Sequence, residues 1–164
     1  MFVLRRSGNH LEAGADRLLL EPLAGDGVMT SFEWSEAVDP AGDAFGVVFD
    51  VGGHWREPPR FAVCADWRIA PDGDVSGFQR SRFDLFMLRV GAIEAFSVDY
   101  LLRRFDDANR LTVLGLYGNR ESLDLARDHP EIVAWAKSNP ASRWGAADEG
   151  GMKRFRIASA NGWP

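Results

Sequence analysis

His54 stands four residues after Asp50, in a stretch that runs on to Cys64 and Asp66. A fold that brings His54 against Asp50, Cys64 or Asp66 would assemble a His–carboxylate or Cys–His pair. General-base and nucleophilic catalysis both need such a pair. The other two histidines, His10 and His129, lie far away in sequence, and no H-x-x-x-H or C-x-x-C spacing occurs, so no metal is expected. No G-x-S-x-G elbow, P-loop or G-x-G-x-x-G is present either, and no cofactor is expected. Asp72-Gly73-Asp74 begins like a calcium loop, but Phe83 stands where the closing bidentate Glu belongs. With Pro71 it reads as a turn.

Charge gives a second line of reasoning. Between Glu12 and Asp50 there are nine acids and one base, Arg17, in a chain of net charge −5. Gly53-His54-Trp55-Arg56-Glu57-Pro58-Pro59 is a stiff turn, and Trp and Arg are the side chains most enriched at binding hot spots. The leading expectation is therefore a non-enzymatic binding protein. Its acidic N-terminal half, through Glu33, Glu36, Asp39 and Asp43 with Trp55 and Arg56 beside them, would meet a basic protein partner. It is inhibitor- or immunity-like by charge alone, since opposite fields speed encounter. The alternative is a small enzyme or small-molecule-binding domain with a pocket around His54, Asp50 and Asp66. A homodimer through an exposed strand edge is a third arrangement. Nucleic acid is not expected as a partner of so acidic a chain, and no recognised nucleic-acid motif occurs.

The elements that must position these residues follow from periodicity. Residues 28–34 alternate apolar and polar side chains, 45–51 form a short β-rich run, and 61–69 alternate again. All three predict strands. Residues 83–90, β-rich and apolar, predict a strand returning from the 71–74 turn. Val98, Leu101, Leu102, Phe105 and Ala108 recur at helical spacing behind Ser97 and predict a helix over 98–109. Residues 111–117 read as a strand, and 120–128 and 130–137 as helices started by Asn119 and Pro130. The Ala-, Gly- and Ser-rich residues 140–151 read as a mobile loop, and 152–158 as a last strand.

The chain of 164 residues is long enough for one domain with its own core, and 46% hydrophobic residues exclude a disordered chain. The expected class is a single α+β domain over 1–164, with a mainly antiparallel sheet from the N-terminal half covered by two or three C-terminal helices. No apolar run approaches the ~18–20 residues of a membrane span. The start lacks a signal-peptide core, and Cys64 is the single cysteine, so a cytoplasmic location is expected.

Overall fold

The computed structural model describes residues 3–8, 17–23, 30–35, 43–52, 58–94 and 96–161. Its later half alternates strand and helix. β5 (Phe61–Ile69) leads to α1 (Val75–Ala92), then β6 (Phe96–Arg104) and β7 (Arg110–Tyr117). α2 (Arg120–Asp128), α3 (Pro130–Ser138), a 3₁₀ turn (Ala141–Trp144), β8 (Ala146–Asp148) and β9 (Lys153–Asn161) follow. β7 pairs with both β5 and β6, and the other edge of β5 takes β9 along 61–64 and β8 along 67–69.

The earlier half supplies β1 (Val3–Gly8), β2 (Arg17–Pro22), β3 (Thr30–Ser35) and β4 (Asp43–Gly52). They run in the order β4-β1-β3-β2. β4 hydrogen-bonds to the free edge of β6 and β2 to the free edge of β9. The sheet therefore curls until all strands but β8 form a ring, closed by the β5–β7 pairing, and every pairing in it is antiparallel. Closure gives each of those strands a partner on both sides, although β1 flanks β4 only along 43–46 and β2 and β5 flank β9 together only along 155–156.

Strand alternation then sorts the side chains into two cores. Ala62, Cys64, Leu114, Leu116, Tyr100 and Leu102 fill the inside of the ring with Leu18, Phe32 and Phe45. The intervening residues Val63, Ile69, Leu101, Leu111 and Val113 face outward onto Phe78 and Phe86 of α1, Leu123 of α2 and Ile132 of α3. Among the described residues no helix is long and apolar enough to cross a membrane.

The α+β class with an antiparallel sheet holds, although the sheet draws on later strands as well. Two elements differ from the sequence expectation. Residues 83–90 are the second half of α1, not a strand. Its inward face carries Ser81, Arg82 and Arg89 among Phe78, Leu85 and Phe86, while Phe83 and Met87 are exposed, so the amphipathic stripe is blurred. Residues 98–109 are not a helix but mostly β6. Val98, Tyr100 and Leu102 point into the ring and Leu101 toward the helices. A strand buried on both faces is nearly continuously apolar, and helical spacings then occur in it by coincidence. The helices at 120–128 and 130–138 stand as expected, with Asn119 Oδ1 accepting from Ser122 N at 2.8 Å and Pro130 opening α3. Within 140–151 lie the 3₁₀ turn and β8.

Candidate functional site

At one end of the ring the inward rows change character together. On β5 the row Ala62, Cys64 continues to Asp66, and on β7 Leu116, Leu114 continue to Thr112 and Arg110. On β6 Tyr100, Leu102 continue to Arg104. These polar ends, with Phe45 and Glu149, line a cavity of about 190 Å³ at the mouth of the barrel.

Asp66 and Thr112 are directly opposite in the β5–β7 ladder, and Thr112 Oγ1 donates to Asp66 Oδ1 at 2.7 Å. Thr112 is buried and Asp66 half-buried, so the carboxylate that lines the cavity is oriented by the strand beside it. Glu149 is tied to the rim because its backbone N–H donates to the Asp66 carbonyl at 2.8 Å. Its carboxylate accepts from Arg68 Nε at 2.6 Å and lies 3.7 Å from Arg110 Nη2. That hydrogen bond raises the already high pKa of the Arg68 guanidinium. Arg104 grips Asp106 through two hydrogen bonds of 2.8 and 2.7 Å, which hold the Asp106 carboxyl below its ordinary range. The mouth thus offers cationic donors and anionic acceptors side by side. It suits a small polar molecule, since pockets for drug-sized ligands run to roughly 300–1,000 Å³.

A second polar assembly is sealed between α1 and the sheet. Arg89 Nη1 donates to Asp99 Oδ2 at 2.8 Å, and the Tyr117 hydroxyl donates to Asp99 Oδ1 at 3.2 Å. Burial opposes the charge on Arg89, but the Asp99 carboxylate more than offsets it and holds the guanidinium protonated. Burial, with the Asp99 charge beside it, pushes the Tyr117 phenol well above its ordinary value. With 0% of Asp99 exposed, this group ties helix to sheet and has no access to a ligand.

Of the residues singled out from sequence, Asp66 lines the cavity. Asp50 does not: it is exposed on β4, in register with Tyr100. His54, Trp55, Arg56, Glu36 and Asp39 lie outside the described residues. Asp43 opens β4, and Glu33 is half-buried on β3. Cys64 is buried in the ring interior. Among the described residues no three metal-ligating side chains come together. Arg104, Arg110, Thr112 and Glu149 were not anticipated. The signal that would have found the first three is the apolar-to-polar switch at the same end of β6 and β7, and reading 98–109 as a helix hid half of it.

No protein-family model matches the chain, and no curated protein matches it in sequence. Solved structures do match. An uncharacterized ferredoxin-fold protein related to antibiotic biosynthesis monooxygenases, from Listeria monocytogenes, covers 97% of this chain and 95% of its own, at TM-score 0.64 and 11% identity. The fold is ferredoxin-like. A heme-degrading enzyme from Listeria monocytogenes aligns over 94% of this chain and 98% of its own, at TM-score 0.58 and 10% identity. An anthrone oxidase-like protein aligns over 99% and 93%, at TM-score 0.58 and 8% identity.

These likenesses correct the leading sequence expectation of a non-enzymatic module for a basic protein partner. The chain shares its fold with proteins described as monooxygenase-related, heme-degrading and anthrone oxidase-like, and the pocket alternative fits that company better. Among the described residues the strands of the acidic segment are not a block of their own, because β1 lies between β4 and β3. β2 pairs with the basic β9, and Glu21 accepts from Arg156 Nη2 at 2.5 Å.

Proposed function

We propose that this chain is a small-molecule-binding domain whose ligand sits in the barrel mouth against Asp66. The observation that carries the reading is the Thr112–Asp66 hydrogen bond of 2.7 Å at the base of a cavity that also holds Arg104 and Arg110. An oriented carboxylate receives a ligand hydroxyl or amine, and the two guanidinium groups on the rim receive its carbonyl or anionic end. The likeness to monooxygenase-related and oxidase-like proteins supports a ligand that is a small organic molecule. The same carboxylate is a proton acceptor within the cavity, which favours an enzymatic use of the site as the second reading.

The experiment is a screen of small polar metabolites by thermal shift, with hits mapped by amide chemical shifts on labelled protein. Shifts clustered at the ends of β5, β6 and β7, and lost in Arg110→Gln, are the expected result. Hits that map elsewhere and bind Arg110→Gln with unchanged affinity would overturn it.

A further inference from the structure

α1 packs on β4, β6, α3 and the 3₁₀ turn and presents one remaining face to solvent. Along that face stand Arg80, Phe83, Asp84, Met87 and Gly91, all exposed, with Glu94 exposed just past the C-cap at Ile93. The helical period puts them in a single stripe. At its centre the stripe is apolar, because Phe83 is 42% exposed and Met87 49%. The Phe83 ring lies edge to face with Phe49 of β4, centroids 5.5 Å apart, which holds it in place at the surface.

Gly91 has no explanation inside the chain. A glycine weakens a helix relative to alanine, since it loses more backbone freedom on folding. It is justified by a positive φ or by a neighbour too close for a side chain. Gly91 is not among the glycines of positive φ, and a Cβ there would meet nothing within 4 Å. The notch it leaves faces outward. The flanking charges are unspent as well: among the described residues neither Arg80 nor Glu94 makes an ion pair.

Laid antiparallel on a copy of itself, the stripe is self-complementary. At 1.5 Å per residue, Phe83 and Gly91 stand about 6 Å on either side of Met87, and Arg80 and Glu94 about 10 Å. A two-fold axis through Met87 exchanges the two ends. It sets the Phe83 ring of each copy level with the Gly91 notch of the other, and Arg80 of each level with Glu94 of the other. Met87, an adaptable side chain of a type enriched at interfaces, meets its own copy on the axis. Asp84 is level with Val90 of the second copy and faces no like charge.

We propose that the exposed face of α1 is the interface of a homodimer, two copies packed antiparallel through Phe83, Met87 and Gly91 and held in register by Arg80 with Glu94. The charges argue for a second copy over an unrelated partner, because each end of the stripe carries the complement of the other. The homodimer considered from sequence ran through a strand edge; this one runs through a helix face and is independent of what the mouth binds.

Sedimentation equilibrium of the intact chain from ~1 μM to ~1 mM covers the range expected for a contact below standard size. A monomer–dimer equilibrium is the expected result. Gly91→Leu fills the notch with a good helix former, so it should abolish the dimer while far-UV circular dichroism shows the monomer folded. Arg80→Glu and Glu94→Arg each turn two contacts from attraction to repulsion, and each should weaken self-association by about tenfold or more. An equimolar mixture of these two variants restores opposite charges at both rims and should form a heterodimer about as tight as the unmodified dimer. A change confined to one chain's fold cannot produce that rescue. A monomer throughout the range would overturn the proposal and leave the face to another occupant. So would a Gly91→Leu chain that dimerises unchanged, or two charge variants that stay monomeric when mixed.

Discussion

A Cβ added at Gly115 would stand 2.3 Å from Asp99 Oδ1 and 2.8 Å from the Tyr117 hydroxyl, so the bare backbone of β7 is what admits the buried carboxylate. The two residues are direct partners in the β6–β7 ladder. Gly115→Ala forces the carboxylate off its donors or the strands apart. The expected cost is about 3 kcal/mol, combining overpacking with a disturbed buried ion pair. Urea unfolding should show a lower midpoint with an unchanged slope. A loss below about 0.5 kcal/mol, the ordinary range for an innocuous surface change, would mean that Asp99 moves aside freely.

The Arg89–Asp99 pair should be costly to break and cheap to replace. Arg89→Met leaves a buried carboxylate without its cation and should cost roughly 3–5 kcal/mol. Arg89→Met combined with Asp99→Leu removes both charges and should cost clearly less than the sum of the single changes. Additive losses in that double-mutant cycle would show that the two charges are not coupled.

Tyr117 predicts the alkaline behaviour. Its phenol is pushed up from the ordinary 10.0 by burial and the Asp99 charge, so the folded chain keeps a proton that the unfolded chain gives up. The resulting stabilisation is fully present below pH 10.0 and falls as pH rises through and beyond it. In Tyr117→Phe this component vanishes, although the mutant is less stable at neutral pH for want of the 3.2 Å hydrogen bond. The stability difference between the two proteins should therefore shrink above pH 10.0. A constant difference across that window would show that Tyr117 ionises equally in both states.

What could be read from sequence was whatever local rules decide. Asn119 and Pro130 start helices by their own chemistry, and 61–69 alternates because one of its faces meets the barrel interior and the other the helices. α1 was hidden because tertiary partners license arginines on its inward face: Asp99 holds Arg89, and three aromatic rings surround Arg82. β6 was hidden because it is buried on both sides. The mouth depends on ring closure between residues as distant as 45, 66, 112 and 149, and no local pattern announces that. Asp66 was found because it sits next to other chemistry in the sequence, whereas Thr112 is its partner only through the register of β5 and β7.

One local signal was present and pointed to a helix. Asp74 Oδ1 accepts from Gly77 N at 2.7 Å, so the segment after Pro71 is a helix N-cap and not the start of a returning strand. Asp74→Ala should lower stability by about 1 kcal/mol without changing the fold. Gly77→Ala should cost more, because its Cβ would meet Asp74 Oδ2 at 2.2 Å and Trp144 Cδ1 at 2.5 Å. Thermal midpoints in the order unmodified, Asp74→Ala, Gly77→Ala are the check. A Gly77→Ala chain as stable as the unmodified one would refute the close packing of Trp144 on α1.

The mouth is tested by changes that alter chemistry and spare shape. Thr112→Val removes the hydroxyl that orients Asp66 while keeping the branched side chain. The expected stability cost is about 1 kcal/mol, the net worth of a single hydrogen bond. Asp66→Asn keeps the oxygen that Thr112 bonds but replaces the charged acceptor facing the cavity. For a ligand found in the mouth, Asp66→Asn should weaken binding by about tenfold or more, since hydrogen bonds to a charged group are the stronger class. Thr112→Val should weaken it less, because it disturbs only the orientation of the carboxylate. Asp50→Asn, on the exposed stretch of β4 opposite Tyr100, should leave affinity unchanged. If the site also turns its ligand over, Asp66→Asn should abolish turnover while Thr112→Val retains a measurable rate, as expected when one residue takes the proton and the other positions it. Equal affinity in the unmodified, Asp66→Asn and Thr112→Val proteins would remove Asp66 from the site and, with it, the chemistry assigned to the mouth.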